Sequence, residues 1–308
     1  MALEQDVLEA LWTQYRDGDT VYVIAHPRRA HAMTEMQAYV ARSFLLEYAD
    51  TLDPLWLSRA RQLLEATRKA IASEGPAWTK GTVLDQVRSE QLVDAFPNTI
   101  AMVAEDFIRF ALLANESAWL ARARDILAVL PHYYDPATNR VAGGSVAGAP
   151  PVFDDVISAH LSTIPLLMLF RETRDSDVRA LAEQFLAPRL APADPLRFPS
   201  GAGIAWYQKR RPDESASKKI HWHHIAYVSR ALQFLFKHTG NGRDLFLQSV
   251  NGLLAARDAQ GWFPRLDLRG ESRLFRLRHL TKLDTDVATT AQVMNLLKDA
   301  FTLTGEWR

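Results

Sequence analysis

The breaks between this chain's helical segments alternate in length, and that alternation limits the available folds more than any other feature. Apolar residues recur at helical spacing near 3–16, 32–49, 54–73, 92–114, 117–130, 153–172, 176–188, 220–238, 243–256 and 284–303. Short turns join 49 to 54, 114 to 117, 172 to 176 and 238 to 243. Long connections rich in glycine and proline, such as "DPATNRVAGGSVAGAPP" and "APADPLRFPSGAG", lead into the helices at 32, 92, 153, 220 and 284. A short–long alternation with a period of about 60 residues is the pattern of stacked helical hairpins.

The two ends of the chain extend the pattern. "HTGNGRDLFLQSVNGLLAARDAQGW" holds one complete short turn and its second helix, whereas "TLTGEWR" matches only the start of that unit. "LEQDVLEALWTQYRDGD" matches the remainder. The expectation is an all-α chain: an α/α toroid of about five hairpins in a single domain over 1–308, closed by pairing of the N- and C-terminal helices. The alternation, the turn "AARDAQGWFP" and the helix "LDTDVATTAQVMNLL" resemble units of the α/α-toroid superfamily. That group includes six-hairpin glycosidases, polysaccharide lyases, glucuronyl epimerases, terpenoid cyclases and protein prenyltransferases. The resemblance covers nearly the whole chain and is architectural, and five hairpins instead of six is a departure. It implies that helices preceded by long connections form an inner ring, with those connections around the mouth of a central cavity.

Composition narrows the function classes. Lys and Arg number 36 against 36 Asp and Glu, so no excess positive charge draws the chain to nucleic acid or an anionic membrane. No apolar run reaches the roughly 20 residues that span a bilayer. The acidic, amphipathic N-terminus lacks the basic-then-apolar order of a secretory signal, which leads to a cytoplasmic expectation. Zero cysteines exclude disulfides, thiolate zinc sites and cysteine nucleophiles.

Under the resemblance, the starts of the inner helices are the first place to look for chemistry. "KKIHWHHIAY" places three histidines in four positions before an apolar run. On a helix His221 and His224 share a face, His223 is turned about 100° from His224, and Tyr227 follows His224 by three. A histidine beside a tyrosine suits proton abstraction and return. The same histidines also suit packing at a helix start, or two ligands of a metal site, but no HExxH motif is present and no metal or cofactor is expected. Asp154 and Asp155 in "VFDDVIS", and Asp284 and Asp286 in "LDTDVATT", read either as helix caps or as paired carboxylates for glycosidic chemistry. Asn98 in "FPNTIAM" reads as a helix start or as a group orienting a substrate carboxylate, and His160, inside an apolar helix, as a core histidine.

Two basic clusters fall in long connections: "YQKRRPDESASKK", with Arg210, and "RGESRLFRLRH", with Arg276 and Arg278. Each is a solvated loop or a carboxylate-recognising patch. Trp206, Tyr207 and Trp262 stand near these cations as aromatic platforms for sugar. The leading expectation is therefore a carbohydrate-active enzyme on a uronate-containing small saccharide. It would act by β-elimination or epimerisation through His224, Tyr227 and His221, or by hydrolysis through two of the four aspartates. A terpenoid cyclase-like enzyme is the alternative, weakened because "LDTDVA" lacks the last aspartate of the DxDD motif. A non-catalytic helical binding scaffold is the third reading. Partners reduce to a small molecule or oligosaccharide, with the oligomeric state open.

Overall fold

The computed structural model describes residues 2–14, 16–17, 20–21, 34–69, 94–95, 97–138, 140–142, 145–146, 156–207, 220–260, 263, 266–267, 293–294, 296–298 and 300–302. Nine helices with full bounds lie among them: α1 (Ala2–Gln14), α2 (Thr34–Thr51), α3 (Pro54–Lys69), α4 (Pro97–Ala114), α5 (Ala118–Leu127), α6 (Val156–Thr173), α7 (Ser176–Leu190), α8 (Trp222–Thr239) and α9 (Arg243–Leu254). The sequence periodicity located every one. Most boundaries shift by a residue or two; among the larger shifts, α4 starts at Pro97, whose fixed φ suits the first helical position, and the segment after α5 tightens into a 3-10 turn at Leu130–Tyr133. The helix expected over 284–303 is described only from 293 onward.

The four short turns share one construction. Each helix ends at a residue in the left-handed region: Leu52 (φ 59°), Asn115 (φ 56°), Arg174 (φ 58°) and Gly240 (φ 78°). The amide of Leu52, Arg174 or Gly240 donates back to a carbonyl four residues earlier, at Tyr48, Phe170 or Phe236. In three turns a threonine precedes that residue. The hydroxyls of Thr51, Thr173 and Thr239 donate to the carbonyls of Glu47, Leu169 and Leu235, and accept the amides of Asp53, Asp175 and Asn241. The repeat seen as "TLD", "TRD" and "TGN" is thus one hydrogen-bonded cap used three times.

Two compact units make up the chain. The first comprises Met1–Tyr134, Ala142–Val152 and Met168–Arg179. In it α2 packs on α3 and on α4, and α4 on α5. Aromatic rings fill the seams: Phe44 stacks on Trp56 at 5.6 Å and meets the edge of Trp12 at 5.7 Å, while Phe107 and Phe110 flank Trp119 at 4.9 Å each. Ion pairs tie one hairpin to the next. Arg59 binds Glu9 through two nitrogens and lies over Trp12 and Trp56; Arg61 pairs with Glu116, Arg122 with Glu65 and Arg124 with Asp175. Such pairs contribute little each when exposed, but seated over aromatic faces they fix which hairpins are neighbours.

The second unit comprises Asp135–Val141, Phe153–Leu167 and Ala180–Arg308. Its core gathers Trp206, Trp222, Leu232, Phe246, Leu253, Phe263 and Leu296 around α8 and α9. The connection after α7 holds a two-stranded antiparallel hairpin, Arg197–Ser200 against Gly203–Trp206, where the sequence pattern predicts a loop. Two glycines let it dock on α9: a Cβ at Gly203 would lie 2.1 Å from the Gln248 carbonyl oxygen, and one at Gly252 2.0 Å from that of Ile204. Among the described residues, no helix is long and apolar enough to cross a membrane.

Candidate functional site

The histidine run sits where a strand turns into a helix. Ile220 and His221 pair antiparallel with Asp267 and Leu266, and this holds the His221 backbone extended (φ −103°, ψ 105°) at the position before α8. Its side chain makes no capping bond to the helix. The two imidazoles nonetheless meet: the rings of His221 and His224 stack with centroids 4.6 Å apart and planes 14° from parallel. Trp222, Ile225, Ala226 and Val228 are buried, whereas His221, His224 and Tyr227 are half-buried. The apolar residues anchor the helix start and leave the polar ones at its margin. The pairing expected from three-residue spacing is present, but strand pairing produces it as much as helix periodicity does. The side chain of His223 lies outside the described residues.

Trp206 departs from the expected role of an aromatic platform. Its ring is fully buried, its indole N–H donates to Asp194 Oδ2 at 2.8 Å, and the ring of His160 tilts against it at 6.3 Å. No face is left for a sugar. Asp194, unremarked in the sequence, is the organiser: it also accepts from Arg189 Nη1 at 2.8 Å and from the Leu196 amide at 3.0 Å. Tyr207, half-buried, stacks on Phe198 at 4.4 Å. His160 is fully buried, as expected of a core histidine.

Asn98, the second residue of α4, is half-buried and belongs to the first unit. It shares a helix face with two residues that sequence reading missed, Glu105 and Arg109. Glu105 is 2% exposed and Asp106 fully buried. Arg42 of α2 donates from Nε to Asp106 Oδ1 at 2.7 Å and lies 3.1 Å from Glu105 through Nη2; Arg109 Nη2 donates to Glu105 at 2.7 Å. Burial pushes the Asp106 carboxyl up to about 6, with Glu105 adding to the rise against the pull of Arg42 and Arg109. Burial acts to lower the Arg42 pKa, yet Asp106 and Glu105 hold it above its ordinary value. The signal was present as "AEDFIRF", three ionisable groups inside an apolar helix.

Asp154, Asp155, Asp284, Asp286, Arg210, Trp262, Arg276 and Arg278 lie outside the described residues. Among the described residues, no three His, Asp or Glu side chains converge as a metal site requires.

No family model and no curated protein matches the chain by sequence. Solved structures match it by shape. The cellobiose 2-epimerase from Bacillus thermoamylovorans superposes with a TM-score of 0.74 at 9% identity, covering 99% of this chain and 84% of that one. A GH76 alpha-mannanase of Bacteroides thetaiotaomicron gives 0.65 at 10%, covering 98% and 81%. The alpha-1,6-mannanase of Salegentibacter sp. gives 0.63 at 12%, covering 88% and 76%; it was solved with alpha-1,6-mannotriose as an inactive variant carrying asparagine at two adjacent aspartate positions. At these identities the likeness is one of fold. The chain has the α/α-toroid fold.

Proposed function

We propose that this protein is a carbohydrate-active enzyme that moves a proton at a sugar carbon beside a carbonyl, as an epimerase or isomerase. The observation that carries the reading is the stacked pair His221–His224 at the margin of α8, with Tyr227 one turn on. In the open-chain form of an aldose, one imidazole takes the proton from C2, and the electron pair moves to the carbonyl as an enediolate. Return of a proton to the opposite face of C2 gives the epimer, and return to C1 gives the ketose. Two stacked imidazoles suit this because one is base while its neighbour is acid. The cellobiose 2-epimerase fold match supports a sugar substrate.

Hydrolysis is the second reading, favoured by a separate observation. Asp154 and Asp155 are adjacent and directly precede α6, and the Salegentibacter mannanase is inactive as a variant with two adjacent aspartates changed to asparagine. Here one carboxyl protonates the leaving oxygen and the other activates water or attacks the sugar. β-Elimination from a uronate would use the same histidine base, with Arg210, Arg276 and Arg278 on the carboxylate.

Product analysis separates these routes. The protein is incubated with mannose, glucose, cellobiose, alpha-1,6-mannotriose and a uronate disaccharide, beside His224→Ala and Asp155→Asn. Epimer or ketose that disappears with His224→Ala establishes proton transfer. Shortened mannotriose that disappears with Asp155→Asn replaces it with hydrolysis, and an unsaturated uronate replaces it with elimination. No product from any sugar overturns the enzyme reading in favour of a binding scaffold.

A further inference from the structure

The cluster between α2 and α4 is arranged as a binding group held in readiness. Arg42 is fixed on one edge: Nε is hydrogen-bonded to Asp106 and Nη2 lies against Glu105, which Arg109 in turn clamps. Its Nη2, although 3.1 Å from Glu105, is buried without a hydrogen-bond partner, and the side chain keeps 16% of its surface exposed. Asp106 Oδ2 is buried and likewise without a hydrogen-bond partner. Tyr39 stands one turn before Arg42 on the same helix, and Asn98 and Arg109, the latter 28% exposed, share the facing side of α4. A guanidinium steered by carboxylates, with a nitrogen to spare, is suited to a planar anion.

Charge balance says what such an anion requires. Among the described residues two guanidiniums face two carboxyls, so these four groups are neutral together when both carboxyls are ionised. A third carboxylate would leave a net negative charge in a largely buried place, which is costly unless a proton enters with it. Asp106 is the group able to take that proton, because burial already favours its neutral form. The charged groups acting on it come from α2 and from α4 itself: Arg42, Glu105 and Arg109. The nearby cations of α3 and α5 are committed elsewhere, Arg61 to Glu116 and Arg122 to Glu65.

We propose that Arg42 anchors a binding site for the carboxylate of a sugar acid, and that Asp106 takes up a proton as the carboxylate arrives. The sugar body of this ligand rests on the carbohydrate reading above; the carboxylate site does not depend on which reaction is catalysed. The experiment scores affinity and not turnover, so the two fail separately.

Calorimetric titration with glucuronate and with glucose at pH 5.5 and pH 7.5 tests it, since glucuronate is ionised at both. Glucuronate is expected to bind wild type more tightly than glucose, and about tenfold more tightly at the lower pH. Asp106→Asn should remove that pH dependence and hold the tighter affinity throughout. Arg42→Lys, which keeps the charge but not the fork, should weaken glucuronate about tenfold. On wild type alone, titrations near pH 6.5 in buffers of different ionisation enthalpy should register proton uptake. Glucuronate binding no tighter than glucose, a pH dependence that survives Asp106→Asn, or no proton uptake overturns the proposal.

Discussion

The backbone of Ile204 lies directly against Gly252, so close that a Cβ on the glycine would sit 2.0 Å from the Ile204 carbonyl oxygen. A strand therefore rests on a helix with no side chain between them, and Ser200 Oγ closes the contact by donating to the Gly252 carbonyl at 2.9 Å. Gly252→Ala should destabilise the protein by about 3 kcal/mol, at the upper end of overpacking costs, because backbone and not a movable side chain is in the way. Chemical denaturation checks it. A change under a few tenths of a kcal/mol would mean the hairpin does not rest on α9.

Leu52 should behave in the opposite way. It adopts a left-handed φ of 59° with its side chain 71% exposed, so its Cβ is strained and buries nothing. Leu52→Gly should stabilise by about 1 kcal/mol, read as a rise in denaturation midpoint without a change in slope. Gly240 already occupies the equivalent position of the α8–α9 turn.

Asp194 joins Arg189, Trp206 and the Leu196 amide, all buried or nearly so. Asp194→Ala removes the carboxylate acceptor of a buried guanidinium and of a buried indole N–H and should cost about 3–5 kcal/mol. Asp194→Asn, which retains two acceptor directions, should cost less. Equal losses in the two variants would show that the two acceptor directions asparagine keeps contribute nothing.

Asp106 sets a pH dependence of stability with a definite sign. Its folded pKa, about 6, lies above the ordinary 3.8, so the folded state holds the proton more tightly than the unfolded chain. Its favourable contribution is complete below the unfolded pKa and is lost as pH rises through 6. Relative to Asp106→Asn, wild type should gain about 1 kcal/mol between pH 7 and pH 5. A difference that falls over that window would reverse the assignment.

Much of the helical framework was legible because hairpin turns carry local chemistry. "TLD", "TRD" and "TGN" specify a threonine cap and a left-handed residue whatever the distant packing does. The 197–206 hairpin was not legible, because "RFPSGAGIAW" alternates weakly and its stability comes from α9, some 50 residues away, through two glycines. Trp206 was misread for a related reason: an aromatic near "QKRR" looks like a surface platform until its partner Asp194 is seen. The His221–His224 pairing was anticipated, yet Arg42 and Asp106 were not, since their meeting needs two helices 64 residues apart in sequence.

The most direct test of proton transfer by the histidine pair is exchange at the sugar carbon itself. The protein is incubated in heavy water with mannose and with cellobiose, and the C2 proton of the reducing residue is followed by NMR beside His224→Ala. The account predicts that the C2 signal fades at a rate set by the wild-type enzyme and falls at least a hundredfold in the variant. A C2 proton that stays in place while glycosidic bonds are cut, or one that exchanges equally fast in His224→Ala, would contradict it.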